Sequence, residues 1–271
     1  MAYARNQDEK RLELRGTNEG MHLRPPLHDV AFPDPSYPAS IDPFAISSVQ
    51  EFPLGTELWH GERKFRYAKA GGTALAVGKL MQGTVPLAGH IDEAVGEPVA
   101  GDTTITFTPN TVTTDDIAKN ALAGGYIYVN DDTGEGYMYQ IKSHPALTGG
   151  ASGTITLVDP INLALGASAT CTVLYPTFYK AILHASPPTA HLLGVTVAAV
   201  TADYYCWLQV KGPCPVLTDG TIVIGDLVVP SANTDGAVMA SAAIETDGPQ
   251  IGRVMAVNAT TEYSAIWLML E

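Results

Sequence analysis

Beyond residue 175, hydrophobic and polar positions alternate in the way that is typical of β-strands. The strand candidates are residues 179–184, 194–200, 204–210, 221–229, 250–257 and 263–270. Asp-Gly pairs at 219–220, 235–236 and 247–248 lie between them. Because Gly and Asp tolerate positive φ better than most residues, these pairs indicate tight turns. The pattern predicts a domain of antiparallel strands.

Residues 89–175 form a second stretch, in which the strand candidates are shorter. They are residues 104–108, 126–129, 137–142, 154–158 and 170–175. The segments 126–129 and 137–141 face each other across a turn at 131–136, which predicts the clearest hairpin of the chain. A short helix is predicted over 114–122, because Thr114 can cap it and acidic residues follow at its positive end.

A third stretch, residues 56–88, begins with a hairpin pattern. Apolar and aromatic residues at 58–59 and 64–67 flank a turn at 60–62, and 73–82 is predicted to be short helical or irregular. Together the three patterns predict an all-β protein. We expect a β-barrel-like main domain built from 56–88 and 176–271, with a small β domain, 89–175, inserted into it.

The first 55 residues have no pattern that could build a core of their own. Charged residues of both signs fill positions 1–15, and prolines follow at 25, 26, 33, 35, 38, 43 and 53. Proline removes a backbone donor and is excluded from helix interiors and inner strands. We therefore predict a long, extended N-terminal arm over residues 1–55.

Apolar side chains recur along this arm, although a free linker is normally poor in them. They are Phe32, Tyr37, Ile41, Phe44, Ile46 and Phe52. Such side chains need a groove, which belongs either to the same chain or to a neighbouring subunit. We expect anchoring on a neighbour for Phe32, Tyr37 and Phe44. The candidate partner-binding residues of the arm are Arg11, Arg15, Phe32, Tyr37, Phe44 and Phe52.

Composition and charge narrow the classes of partner. The chain of 271 residues is 46% hydrophobic, enough for a sizeable core, and its net charge is −13. Because nucleic-acid binding depends on Lys and Arg neutralising phosphates, we expect no nucleic acid as a partner. We also expect no membrane insertion, since no stretch of about 18 apolar residues occurs. The charged start does not resemble a signal peptide, so synthesis and use without export are expected.

Motifs for catalysis or metal binding are not found in the sequence. Cys171, Cys206 and Cys214 are an odd number without a Cys-x-x-Cys pair, which indicates buried thiols. The seven histidines lack metal-ligand spacing. Residues 72–80 differ from a phosphate loop, and 131–135 lack the ligand spacing of a calcium loop. We expect no cofactor, no metal and no enzymatic activity.

Four segments resemble virion structural proteins of tailed bacteriophages, and among these most closely the capsid decoration, or cement, proteins. The segments are 65–82 (FRYAKAGGTALAVGKLMQ), 210–213 (VKGP), 219–230 (DGTIVIGDLVVP) and 250–257 (QIGRVMAV). The resemblance implies a homotrimer on the outside of the capsid that binds the major capsid protein and stabilises the shell. It also implies localisation at the capsid surface of the virion, after synthesis in the host cytoplasm. The inserted stretch and the long arm are larger than this family requires.

Two other functions are consistent with the residues. A recognition module of a virion, such as a head fibre, tail tip or carbohydrate-binding protein, could use an aromatic platform. Its candidate residues are Trp59, Tyr126, Tyr128, Tyr137 and Tyr139, which cross-strand packing in hairpins would explain as well. A hydrolase acting on cell-surface polymer could use carboxylates brought together from distant strands, which leave no local motif.

Overall fold

A computed structural model of the chain describes residues 41–110, 116–241 and 248–271 with their side chains, and 14–15 and 22–24 by their backbone alone. Regular structure there is antiparallel β, except for one 3₁₀ turn, Ala88–His90, and this confirms the predicted all-β fold. The described chain forms two compact units. The body comprises the residues up to Thr84 and Phe178–Glu271, and the inserted unit is Val85–Thr177. The sequence-based limits of the insertion, 89–175, lie inside the second unit.

Eighteen strands occur in the described residues. In chain order they are β1 (Leu14–Arg15), β2 (His22–Arg24), β3 (Glu57–His60), β4 (Arg63–Lys69), β5 (Leu80–Gln82), β6 (Glu93–Ala94), β7 (Thr104–Phe107), β8 (Tyr126–Val129), β9 (Met138–Ser143), β10 (Gly153–Leu157), β11 (Thr170–Leu174), β12 (Ile182–Leu183), β13 (Leu192–Thr196), β14 (Tyr205–Leu217), β15 (Leu227–Pro230), β16 (Val238–Ala240), β17 (Gly252–Ala256) and β18 (Tyr263–Met269). Most of the predicted strands are confirmed, whereas β1, β2, β5, β6 and β16 were not predicted.

The body is built on one curled sheet in the order β1-β2-β3-β4-β14-β18-β17-β15-β16. β14 also pairs with β13, and β5 pairs with both β12 and β13. The predicted hairpin of β3 and β4 is confirmed, with Leu58 opposite Phe65. Part of the predicted arm also joins this sheet, because β2 pairs with β3. The remainder of the arm before residue 41 lies outside the described residues.

β14 continues seven residues past the predicted end of its strand, although it contains Pro213 and Pro215. At one end of the β14–β18 pairing, the Val210 carbonyl accepts a hydrogen bond from Leu270; at the other, the Leu217 N–H is directed to Gly78. Since successive residues of a strand face opposite neighbours, the two prolines occupy positions that do not donate to β18. The pairing of β14 with β18 therefore loses no hydrogen bond at the two prolines. The strand was predicted to end before them because proline is usually excluded from inner strands.

The inserted unit contains a separate curled sheet in the order β6-β11-β8-β9-β10-β7. Its two edges are joined, because Val95 and Phe107 form an antiparallel bridge and the Gly96 N–H donates to the Thr106 carbonyl at 3.0 Å. The inward side chains of all these strands except β6 converge on one continuous core of sixteen buried residues. Phe107 and Ile155, both fully buried, lie in that core.

Four local predictions differ from the structure. The segment 73–82, predicted to be short helical or irregular, ends in the strand β5, Leu80–Gln82. The helix over 114–122 is wrong in the residues that are described, because Ile117 forms a β-bridge with Leu147 and Asn120 takes a φ of 59°, outside the helical region. Thr114 and Asp115 lie outside the described residues. The strand over 221–229 is only Leu227–Pro230, since Asp226 closes a turn on Val223 before it. The strand over 179–184 is only Ile182–Leu183.

Candidate functional site

The part of the arm nearest to the body, residues 41–52, is fastened along the body without forming a strand; we call it the strap. Ser47 and Tyr205 exchange two backbone hydrogen bonds, of 3.1 and 2.8 Å. The Glu51 N–H donates to the Tyr67 hydroxyl at 3.1 Å. Near the start, the Asp42 carboxylate accepts the Phe44 N–H at 2.9 Å and turns the chain. Hydrogen bonds therefore hold the strap to the body at its middle and end.

One set of strap side chains points into the body. Ile41 is buried, and Phe52 is only 6% exposed. The Phe52 ring lies 5.2 Å from the Tyr67 ring, edge to face, and 5.4 Å from the Trp207 ring. Burial raises the pKa of Tyr67 above its ordinary value, so its hydroxyl stays neutral. Phe52 anchors the strap on its own chain, and not on a partner as expected from the sequence.

A second set of strap side chains points to solvent. Phe44 is 51% exposed, Val49 is 68% exposed, and Ile46 is exposed as well. The Arg63 guanidinium lies 5.7 Å from the Phe44 ring centre, within cation–π range, and donates a hydrogen bond to the Gln209 side chain at 2.7 Å. The strap thus displays three apolar side chains on a segment that is already fixed to the body.

The other predicted partner-binding residues are described less completely. Arg11, Phe32 and Tyr37 lie outside the described residues, and of Arg15 only the backbone, in β1, is described. Sequence reasoning missed Tyr67 and Trp207, the residues that receive the strap. No local signal marks them, because Trp207 lies 155 positions from Phe52 and the 15 positions between Phe52 and Tyr67 follow no pattern that predicts a contact.

A second apolar surface lies on the outer face of β14, β18 and β17. Pairing brings Pro213 opposite Trp267 and Lys211 opposite Met269, and Arg253 follows across β17. Several apolar residues on or beside these strands are exposed; they are Val223, Ile224, Met255, Val257, Tyr263 and Met269. The face carries few charges, with Lys211 and Arg253 as its cations. A surface of this composition is typical of a protein–protein contact.

An ion-pair network lies beside Trp59, where β3 pairs with β4. Lys64 contacts Glu57 at 3.2 Å and Glu271 at 2.7 Å, and Arg66 contacts the same two carboxylates at 3.4 and 2.6 Å. Although burial alone would raise the pKa of Glu271, the hydrogen bonds from Arg66 and Lys64 hold it below its ordinary value. All four charges are matched within the chain, so the network fixes β3, β4 and the last residue together.

The five aromatic residues of the recognition hypothesis are divided between the two units. Trp59 belongs to the body, and Tyr139 is buried in the core of the inserted unit, where Tyr137 stacks on it. Tyr126 and Tyr128 remain on the outer face of β8. Within the inserted unit, these two tyrosines share one outward face of a strand.

His144 is held by hydrogen bonds within the inserted unit, and the three cysteines are buried. His144 accepts the Leu122 N–H on Nε2 at 3.0 Å, which leaves Nδ1–H to donate to the Pro145 carbonyl. Burial raises the pKa of Cys171, Cys206 and Cys214 to about 12, so these thiols are protonated at neutral pH. Within the described ranges, no group of three or more His, Cys, Asp or Glu is arranged to hold a metal.

A shallow polar cavity lies on the inserted unit. It has a volume of about 220 Å³ and is lined by Glu97, Pro98, Asp102, Thr104, Thr106 and Thr154. The Asp102 carboxylate already accepts the Val99 N–H at 2.9 Å. This carboxylate therefore braces its own loop.

Comparisons of the chain with protein-family models, curated protein sequences and solved structures find no match. Among the residues that the structure describes, no helix is long and apolar enough to span a membrane. A function for the chain therefore has to be argued from its own surfaces. The strap and the outer face of β14, β18 and β17 are the two that the apolar side chains single out.

Proposed function

We propose that the protein is a structural subunit of a tailed-bacteriophage virion, which binds the outside of the capsid as a decoration or cement protein. The observation that supports this best is the division of the strap into two sets of side chains. Ile41 and Phe52 fasten it to its own body, whereas Phe44, Ile46 and Val49 face outward. A fixed segment with an apolar outer row is suited to bind a neighbouring surface, because little ordering entropy remains to be lost on contact.

The proposed partner of the strap is the major capsid protein, at the capsid surface of the virion, after synthesis in the host cytoplasm. Each strap needs to contribute only a few kcal/mol, since strap and body would engage the shell together at a high effective concentration. Such binding stabilises the assembled shell selectively, because a ligand stabilises the state to which it binds. The −13 net charge would keep densely displayed copies soluble.

Self-association as a homotrimer is the second part of the proposal. The outer face of β14, β18 and β17 supports it, because exposed apolar side chains such as Met255 and Met269 lie there with few charges. A closed cyclic arrangement covers such a face on every copy, whereas an open arrangement would lead to filaments. Light scattering at micromolar concentration is expected to give the mass of a trimer, and a stable monomer would contradict this part.

Particles with and without this protein test the proposed function. Particles that lack it are expected to open at lower temperature than complete ones, and adding the purified protein should restore the higher temperature. Genome release followed by dye fluorescence during heating measures both. Particles that lack the protein, resist heat as complete ones do, yet fail to adsorb to cells would overturn the cement function.

A further inference from the structure

Two tyrosines stand side by side on the outer face of the inserted unit. Tyr126 and Tyr128 are two residues apart on β8, so both point to the same face, at a spacing of about 7 Å. β8 is an inner strand, paired with β11 and β9. Across these pairings, Tyr126 lies between Leu174 and Gln140, and Tyr128 lies between Thr172 and Met138. Tyr126 is 37% exposed and Met138 is 54% exposed.

The two rings stand on a rigid support. The residues of β8 that alternate with them, Ile127 and Val129, are buried in the single core of the inserted unit. Neighbouring strands hold β8 on both sides by backbone hydrogen bonds. The positions of both tyrosines are therefore set before any ligand arrives, which reduces the entropy cost of binding.

The polar groups beside these rings are free. The hydroxyls of Tyr126 and Tyr128 and the side-chain amide of Gln140 make no hydrogen bond to any residue in the described ranges. Aromatic surface with unused donors and acceptors at its rim suits a ligand that has both C–H faces and hydroxyl groups. An aliphatic protein surface would leave these polar groups without partners and so bind less well.

The charge of the inserted unit restricts the ligand further. Residues 85–177 contain ten Asp and Glu but only two basic residues, Lys119 and Lys142, a net charge of −8. An anionic polymer would be repelled, because few cations are available to pair with it. A neutral ligand escapes this repulsion.

We propose that the outer face of β8, with Tyr126 and Tyr128 at its centre, binds a neutral saccharide. The C–H faces of sugar rings would stack on the two tyrosine rings, and sugar hydroxyls would bond to the tyrosine hydroxyls and the Gln140 amide. Such a site would give the protein weak adhesion to neutral polysaccharide, a function separate from stabilising a shell. The proposal does not depend on the cement function.

Native gel electrophoresis of the full chain in gels containing polysaccharide tests the site. The neutral probes are dextran, galactomannan and laminarin, and alginate is the anionic probe. At least one neutral polymer is expected to retard the protein, and alginate is not. The double variant Tyr126→Ala/Tyr128→Ala should weaken the retarding interaction at least tenfold.

Tyr137→Ala is the matched control, because it removes a similarly exposed tyrosine that stacks on Tyr139 away from this face. It should bind as the unaltered protein does, and thermal melting should show all three proteins folded. Retardation by none of the neutral polymers, or equal retardation of the folded double variant, would overturn the proposal. A double variant that instead loses self-association in sedimentation would assign the face to a protein partner and overturn it too.

Discussion

The two units differ in how completely they bury their own apolar residues. The inserted unit closes its sheet edge to edge around one core. The body distributes its buried residues over three clusters, and the one around Tyr67 and Trp207 includes Ile41 and Phe52 from the strap. A segment that precedes the first hairpin of the body thus contributes to one of its cores. A change in the strap can therefore alter the stability of the body, whereas the core of the inserted unit contains no strap residue.

The largest expected effect tests whether the strap belongs to the body core. Phe52→Ala should lower the free energy of unfolding by about 3–5 kcal/mol, because a buried ring is lost between two others. All three tryptophans, Trp59, Trp207 and Trp267, lie in the body, so tryptophan fluorescence during urea unfolding reports on the body alone. Phe44→Ala is the control and should cost about 1 kcal/mol or less. Equal, small costs for both substitutions would show that the strap is not part of the core.

A smaller effect, confined to the inserted unit, is expected at His144. Burial lowers the pKa of His144, although its bond to the Pro145 carbonyl acts in the opposite direction. Below pH 6.5 His144 takes up a proton in the unfolded chain more readily than in the folded chain. The inserted unit should therefore lose stability as the pH falls. His144→Ala should cost about 1–3 kcal/mol at neutral pH, because the Leu122 N–H loses its acceptor, and should remove this pH dependence.

Hydrogen exchange of peptides from residues 85–177, measured between pH 7 and 5, checks the prediction for His144. Partial burial also lowers the pKa of His191, which belongs to the body. Because this residue is exposed, the loss of stability that it gives the body at low pH should be smaller. The variant His191→Gln measures that loss. An inserted unit whose exchange, corrected for the intrinsic rate, does not change over this range would contradict the prediction.

The smallest effect is expected at the ion-pair network of the body. The pKa of Glu271 is lowered in the folded chain, so its contribution is present above its ordinary pKa of 4.5 and is lost as the pH falls through the folded value. Glu271→Gln should cost about 1 kcal/mol at pH 7, because the network is partly exposed to solvent. Glu62→Gln, at the exposed tip of the β3–β4 hairpin, is the control. Urea unfolding over a series from pH 7 downward should show the difference between the two variants shrinking once the pH falls below 4.5.

Local sequence patterns predicted most of the fold because strand alternation and turn residues act over short distances. Tyr126–Val129 and the hairpin of β3 and β4 were predicted almost to the residue. The end of β14 was missed, since proline is tolerated there only by the direction in which its missing N–H would point. The false helix over 114–122 followed its capping residues, but pairing of Ile117 with Leu147 outweighed that preference.

The candidate site was predictable only in part. The apolar residues of the arm and their need for a groove are evident from the sequence. The sequence does not show which of them face inward, because Phe52 packs against Trp207, which lies 155 positions further along the chain. For the same reason, the sequence alone does not divide the strap into inward and outward side chains. The proposed function depends on that division.

The most direct test of the two-sided strap is binding to particles from which the protein has been stripped. The triple variant Phe44→Ser/Ile46→Ser/Val49→Ser removes the outward row while keeping Ile41 and Phe52. Occupancy after sedimentation is expected to fall at least tenfold at equal protein concentration, while the melting temperature stays within about 2 °C of that of the unaltered protein. Full occupancy by a variant with an unchanged melting temperature would contradict the account.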